Sequence, residues 1–319
     1  MRLKLVPKNT SWDFFSRSKL WIGISIVLVI LSLLSFFIQS LNFGIDFRGG
    51  TSIRTESSEP IDVADYRSAL SSLDLGDITI SEVFDPNFAD DQNVAMIRIQ
   101  AQPGQEAVTS TLVENSLQKL REVSEDIKFV SVESVGPKVS GELIKTAIIA
   151  VILAISAVLF YIWIRFEWQF AVGAISALIH DVILTIGIFS ALQIKFDLAI
   201  IAAILTIVGY SLNDTVVVFD RVRENLRKFK KRSLVEVMNL SINETMSRTV
   251  MTSVTTLLAL ISLFILGGDV IRGFVFAMIW GVVVGTYSSI FIASAILLWT
   301  GVKRDWSKPN AEAGTQVPQ

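Results

Sequence analysis

The chain contains no cysteine, so no disulfide can staple any part of it, and thiol catalysis and thiolate metal ligation are excluded. Histidine occurs once, at His180. Charge is also scarce: Asp, Glu, Lys and Arg make up 18% of the 319 residues, the net charge is -2, and 51% of residues are hydrophobic. Mean hydropathy is clearly positive and the apolar residues fall in long blocks. That pattern excludes a soluble enzyme with one large core and places the chain among integral membrane proteins.

Six blocks are long enough to cross a bilayer, since about 20 apolar residues cover its hydrocarbon. They run approximately from Leu20 to Ile38, Leu143 to Ile164, Phe170 to Leu192, Leu198 to Phe219, Val250 to Leu266 and Phe274 to Trp299. Lys and Arg crowd the ends of the chain and one stretch: Arg2, Lys4, Lys8, Arg17 and Lys19; Arg221, Arg223, Arg227, Lys228, Lys230, Lys231 and Arg232; Lys303 and Arg304. Positive residues stay on the cytoplasmic side, which predicts that both termini lie inside. The basic cluster is a topology signal or a contact with anionic headgroups, and no nucleic-acid partner is expected. The first block starts like a signal peptide. It is too long for one, and no small-residue cleavage site follows, so it is expected to remain as an anchor.

The predicted organisation is a cytoplasmic N-terminus (1–19), a first span (20–38), an extracytoplasmic domain (39–142) and a helical membrane region (143–300). That last region includes a cytoplasmic basic loop (220–247), and a disordered cytoplasmic tail (301–319) follows. The outer segment alternates short elements. Thr51 to Thr55 is strand-like, and Asp62 to Leu73 has helical spacing with Asp62 as N-cap. Ile78 to Phe84 and Val94 to Gln100 are strand-like around the turn signal Asp85-Pro86-Asn87. Gln105 to Val123 reads as a second amphipathic helix and Phe129 to Val135 as a closing strand. The order βαββαβ is the split ferredoxin-like pattern. This segment shows no catalytic constellation, and its scattered carboxylates read as a solvated face.

The most informative residue is Asp214, inside the fourth block. An ionisable group within a span is expensive, so a functional site is the default reading, against an aspartate that merely pairs with a neighbouring helix. Asp214 lies six residues before Asp220, or about 9 Å of helical rise. It is embedded but reachable. Ser211, Asn213 and Thr215 surround it with polarity, and Tyr210 shares its helix face at i, i+4. The fifth span enters from the same side through Thr245-Met-Ser-Arg-Thr-Val-Met-Thr-Ser-Val-Thr-Thr256, which predicts Arg248 at similar depth. Burial favours the neutral acid and an adjacent guanidinium favours the carboxylate, so a carboxyl balanced between the two can switch its proton. His180 and Asp181, mid-way along the third span, are a second candidate pair: a titratable proton path, or a static packing hydrogen bond. Consecutive helical positions point in different directions, which favours the static reading. Gly44, Gly49 and Gly50 are expected to form a flexible exit from the first span, with Gly136 and Gly141 doing the same before the second. Gly281 and Gly285 form a small-xxx-small pair that predicts close helix packing. Arg48-Gly49-Gly50-Thr51 lacks phosphate-loop spacing.

Four stretches together resemble a known family: Phe43-Gly-Ile-Asp-Phe-Arg-Gly-Gly-Thr51, with Gly44, Asp46, Gly49 and Gly50; Val135-Gly-Pro-Lys-Val-Ser-Gly-Glu-Leu143, with Gly136, Pro137 and Gly141; Leu178-Ile-His-Asp-Val182; and Gly209-Tyr-Ser-Leu-Asn-Asp-Thr-Val-Val-Val-Phe-Asp-Arg-Val-Arg-Glu-Asn225. They resemble the SecD/SecF family of bacterial protein-export membrane proteins, of the RND superfamily, from about Trp21 to Thr300. The resemblance implies six transmembrane helices forming half of an RND-type bundle, in the bacterial inner membrane. It also implies pairing with SecD and work beside the SecYEG channel, SecA and YajC on unfolded secretory proteins. The driving force would be the proton-motive force, with protons as coupling ion and no cofactor. It further implies a role in proton transport for the positions of Asp214 and Arg248, to which the residue chemistry adds Asn213, His180 and Asp181. Neither metal nor enzymatic chemistry is implied. The other readings to be separated are an RND exporter of small solutes or lipids and a passive scaffold.

Overall fold

The structure, a computed structural model, describes residues 10–73, 75–76, 78–83, 88–89, 91–100 and 110–302. Arg2, Lys4 and Lys8, the end of the expected strand at Phe84, the Asp85-Pro86-Asn87 turn, the expected helix start at Gln105, and the tail from Lys303 lie outside the described residues.

The first span is helix α1 (Ser18–Gln39). A two-residue strand β1 (Asn42–Phe43), a helical turn α2 (Ile45–Arg48) and strand β2 (Gly50–Ser57) follow it. Helix α3 (Val63–Leu70) is capped by Asp62, whose side chain accepts from Ala64 N. Then come β3 (Ile78–Val83), β4 (Asn93–Gln100), α4 (Ser110–Arg121) and β5 (Lys128–Val135). The four longer strands form one antiparallel sheet in the order β3-β4-β2-β5. One face of it packs Ile53, Ile97 and Ile99 against Tyr66 and Leu70 of α3 and Leu120 of α4. Each such side chain, when fully buried, contributes about 1.5–3 kcal/mol relative to exposure.

The membrane region continues with α5 (Pro137–Arg165), α6 (Trp168–Ala191), a two-residue strand β6 (Lys195–Phe196), α7 (Leu198–Lys228) and α8 (Leu234–Leu266). The last span is α9 (Gly268–Ser288), a π-helical turn (Ser289–Ala293) and α10 (Ser294–Thr300). Among the described residues, six helices are long and apolar enough to cross a membrane. They are not equivalent. More than half of the apolar window of α6 and of the last span is buried inside the protein, and nearly half of that of α7, whereas α1, α5 and α8 bury about a tenth or less. The central trio is therefore α6, α7 and α9.

Two expectations need correction. The stretch 220–247, read as a basic loop, is helical apart from 229–233. Its charges pair along and between helices, Arg221 with Glu224 at 2.6 Å and with Glu244 at 2.7 Å, and a Ser233–Glu236 capping box starts α8. Such i, i+3 pairs and caps support helix as readily as loop. Nor is the glycine-rich exit from α1 loose. Strand β1 pairs in parallel with β6, Gly44 N donates to Phe196 O at 2.8 Å, and Leu198 N donates to Asp46 Oδ2 at 3.1 Å. A Cβ at Gly44 would lie 2.8 Å from Lys195 Cε, so this glycine serves close approach. Gly49 has φ 72°, which favours glycine, and both Gly49 and Gly50 are buried. At the other end Gly136 is the N-cap residue of α5, Pro137 occupies its first turn and Gly141 continues the helix.

Candidate functional site

The core of the membrane region is layered. At one end Phe170, Phe219, Val222 and Ile242 form an apolar cluster; at the other, Phe189, Ile200, Ile204 and Ala277 form a second. A belt of buried polar side chains lies between them, drawn from α6, α7, α8 and the junction of α9 with the π turn.

Close helix approach makes the belt possible. A Cβ at Gly281 would fall 2.2 Å from Ile207 Cγ1, and one at Gly285 would fall 3.0 Å from Ser211 Cβ, so α9 lies directly on α7 as the small-xxx-small pair predicts. Ser211 and Asp214 then face inward from α7, both buried. Asp214 Oδ1 accepts from Thr249 Oγ1 of α8 at 2.5 Å, and Oδ2 accepts from Ser289 Oγ at 2.7 Å. Asp181 of α6 is held similarly. Its Oδ2 accepts from Ser211 Oγ at 2.6 Å and from Ser288 Oγ at 2.7 Å, and its Oδ1 accepts from His180 Nδ1 at 3.0 Å.

The adjacent hydroxyls of Ser288 and Ser289 are thus divided between the two carboxylates. They sit where the last span changes from α to π. A π turn is rare and costs regular hydrogen bonding, and it is frequent at functional sites. A ladder of hydroxyls continues along the belt: Tyr210 Oη donates to Ser253 Oγ at 3.5 Å, and Ser253 Oγ and Thr286 Oγ1, either of which can donate, are hydrogen-bonded at 2.7 Å. Ser289 Oγ also reaches the Thr286 carbonyl at 3.1 Å.

Of the residues singled out by sequence, Asp214, His180 and Asp181 are in the belt. His180 turns back onto Asp181 although consecutive helical positions diverge; α6 is central enough that both are buried. His180 Nε2 is buried with no hydrogen-bond partner among the described residues. Arg248 precedes Thr249 on α8 and is exposed; it lies close enough to act on Asp214 electrostatically, without forming an ion pair. Asn213 is exposed on the outside of α7, away from the cluster. Gly44, Asp46, Gly49, Gly50, Gly136, Pro137 and Gly141 lie in the junction between the sheet domain and the helices. Sequence reasoning missed Ser288, Ser289 and the direct role of Thr249. The polar run Thr286-Tyr-Ser-Ser289 inside an apolar span was the available signal.

This arrangement is that of a polytopic membrane transport component whose central helices solvate two carboxylates with hydroxyls. Residues 115–303 match the model for protein export membrane protein SecD/SecF, C-terminal, and residues 34–61 match the SecD/SecF GG motif. The chain is 58% identical over 315 residues to the protein translocase subunit SecF of Cereibacter sphaeroides, covering 99% of this chain and 97% of that one. It is 40% identical to that of Rickettsia rickettsii, covering 92% and 94%. Among solved structures it resembles SecDF, a translocon-associated membrane protein from Thermus thermophilus, with TM-score 0.80 and 33% identity, and SecDF in a super-membrane-facing form, with TM-score 0.69 and 34% identity. In both it covers 94% of itself and spans 40% of the SecDF chain. The chain belongs to the SecD/SecF family of protein-export membrane proteins, in its SecF branch. It is a multi-pass, non-enzymatic subunit of protein export.

Proposed function

We propose that this chain is the proton-handling half of an export pump in the bacterial inner membrane, pairing with SecD. It uses the proton-motive force to promote late translocation and release of unfolded secretory proteins beside SecYEG, SecA and YajC. The sheet domain is the extracytoplasmic, ferredoxin-like domain and both termini are cytoplasmic. The placing of Arg17, Lys19 and the Arg221 to Arg232 cluster at the opposite end of the bundle supports this orientation.

One observation carries the reading: Asp214 is buried mid-span and, among the described residues, its two oxygens are each held by a single hydroxyl, from α8 and from the π turn. Hydroxyls donate or accept, so they accommodate a carboxylate or a protonated acid by rotation. A proton on one oxygen of Asp214 turns that oxygen into a donor, so the hydroxyl facing it must rotate to accept, while the other hydroxyl keeps a weaker, uncharged hydrogen bond. The contacts of α8 and of the π turn with α7 loosen accordingly. Arg248, one residue from Thr249, moves with α8; its return restores the charged form and expels the proton. One elementary charge crossing the field gains about 2.3 kcal/mol per 100 mV, comparable to a few membrane-buried hydrogen bonds of about 0.6 kcal/mol each.

The test is Asp214→Asn at normal membrane level, with the rate of precursor release from membrane vesicles measured with and without a proton gradient. Release that slows and no longer responds to the gradient is the expected result. Unchanged gradient dependence would make the chain a passive scaffold.

A further inference from the structure

The chain enters α1 through a non-helical segment, residues 10–16, that lies along the first turns of α8. Two asparagines of α8 hold it. Asn243 Oδ1 accepts from Trp12 N at 3.0 Å and Asn243 Nδ2 donates to Trp12 O at 2.9 Å, so one amide side chain takes both backbone polar groups of a single residue, as a neighbouring strand would. One turn earlier, Asn239 Oδ1 accepts from Phe14 N at 2.9 Å and Asn239 Nδ2 donates to Asp13 Oδ1 at 2.9 Å. The same Asp13 oxygen accepts from the amides of Phe15 and Ser16, each at 3.1 Å, which turns the segment into the start of α1. Asparagine is among the poorer helix formers. Two of them four residues apart on one helix face serve this grip rather than the helix.

The segment is also wedged. Phe15 is buried in one cluster with Val222 of α7 and with Val237, Met238 and Ile242 of α8, and Phe14 meets Phe291 at 6.1 Å. Asn225 of α7 adds a further tie, since its Nδ2 donates to Ser241 Oγ at 3.0 Å and to Glu244 Oε2 at 2.6 Å. The other end of the same helix is built oppositely. Every buried residue of α8 lies between Val237 and Ser253, while Leu258, Ile261, Leu263, Ile265 and Leu266 are exposed. A helix gripped at one end, with few buried contacts at the other, opens first at the loose end. The proton site lies near the gripped part, because Thr249 follows Asn243 by six residues, about 9 Å along the helix.

We propose that Asn239 and Asn243 are positioning residues that make the Leu234 end of α8 a fixed pivot on segment 10–16, so that the helix swings at its Leu266 end and carries Thr249 and Arg248 through short arcs about Asp214. A hydroxyl close to the pivot can leave the carboxyl group and return to the same oxygen. Neither the proton reading nor the family resemblance gives these two residues a part. The pivot itself stands on the contacts, and only what drives the swing rests on the proton reading.

The chain has no cysteine, so introduced cysteines are the only sites for spin labels. Two pairs read the two ends of α8 against the central helix α6: Val235→Cys with Trp168→Cys, and Ile265→Cys with Leu192→Cys, all at exposed positions. In the full-length protein reconstituted in vesicles, double electron–electron resonance is expected to give a narrow distance distribution for the first pair and a broad one for the second. The hydrogen bond from Asn239, with the Ser16 and Phe15 amides, holds Asp13 below the usual carboxylate range, so it repels a second carboxylate at 239. Asn239→Asp is therefore expected to broaden the first pair until it matches the second, and to slow gradient-driven precursor release about fivefold. Adding Asp13→Asn restores an amide-to-carboxylate hydrogen bond with the roles exchanged. It is expected to rescue both readings, which a general weakening of α8 would not allow. Should Asn239→Asp fail to fold, Asn243→Ala removes only the hold on Trp12 and is expected to broaden the first pair part-way. A first pair that stays narrow in whichever of these variants folds, or that broadens in Asn239→Asp without rescue by the exchange, overturns the pivot. If the first pair behaves as expected but the second pair in wild-type protein ignores an imposed proton gradient, the pivot stands and the proton reading falls.

Discussion

Asp181 and Asp214 sit in the same polar belt, and each accepts hydrogen bonds from two hydroxyls, yet they are built differently. Asp181 is 1% exposed, has His180 as a third partner and is held wholly by the central helices α6, α7 and α9. Asp214 is 8% exposed, has no third hydrogen-bond partner among the described residues and draws one of its donors from α8, which buries little of its apolar length. A carboxylate with several donors in a fully packed surround resists change, because altering it strands several buried groups. A carboxylate with one donor on a peripheral helix can lose that donor when the helix moves. Under the proposed function, this difference favours a structural role for Asp181 and a switching role for Asp214.

The sharpest break of this comparison is at Asp214, the proposed switching site. Asp214→Asn is expected to lower gradient-driven precursor release at least about tenfold, a loss of roughly 1.4 kcal/mol of coupling. Asp181→Asn at matched expression should leave most of the gradient response. The reverse pattern, read in the same vesicle assay, would exchange the two roles.

Stability should separate the sites in the opposite sense. Asp181→Leu strands Ser211 Oγ and His180 Nδ1, and thermal unfolding in detergent is expected to show a loss of about 1–3 kcal/mol. Gly281→Val tests the scaffold beneath both sites. Its side chain would enter the space of Ile207, an overpacking that typically costs about 1–3 kcal/mol and should lower the melting temperature. Equal stability of that variant would mean that α9 does not need its close approach to α7.

A smaller effect is expected far from the belt, at Asp126 of the sheet domain. Its carboxylate accepts from Ser57 Oγ at 2.9 Å, from Ser124 Oγ at 2.5 Å, and from the amide and hydroxyl of Ser58. These hydrogen bonds, chiefly those from the Ser124 and Ser58 side chains, hold it well below the usual carboxylate range. Because the folded value is depressed, its contribution is complete above the ordinary carboxylate range and is lost as pH falls through the folded value. Asp126→Ala should therefore speed hydrogen exchange around 57–58 at neutral pH, with a difference from wild type that narrows in strong acid. The belt variants should show no such acid convergence at these amides.

How much of this was legible in the sequence depends on how local each cause is. Asp214 was visible because one charge inside an apolar run has no ordinary explanation. The elements of the sheet domain were visible through alternation and the Asp62 cap, both of which act within a few residues. Partners fixed by three-dimensional packing were not visible. Ser289 lies 75 residues from Asp214, and serines on membrane helices commonly bond their own backbone, as Ser262 does to Leu258 O. The β1–β6 pairing consists of two-residue strands separated by some 150 residues, with no periodicity to betray it. That pairing is why the Gly44 region read as a flexible exit when it is a docked junction. Charge density misled over 220–247, because Lys and Arg describe the solvent around a helix as well as they describe a loop.

The proposed function requires that Asp214, and not Asp181, gains and loses the proton. Difference infrared spectroscopy on reconstituted protein, with and without an imposed proton gradient, reads a protonated carboxyl group directly. A gradient-dependent carboxyl band is expected in the wild type that disappears in Asp214→Asn and persists in Asp181→Asn. A band that persists in Asp214→Asn, or disappears only in Asp181→Asn, would contradict it.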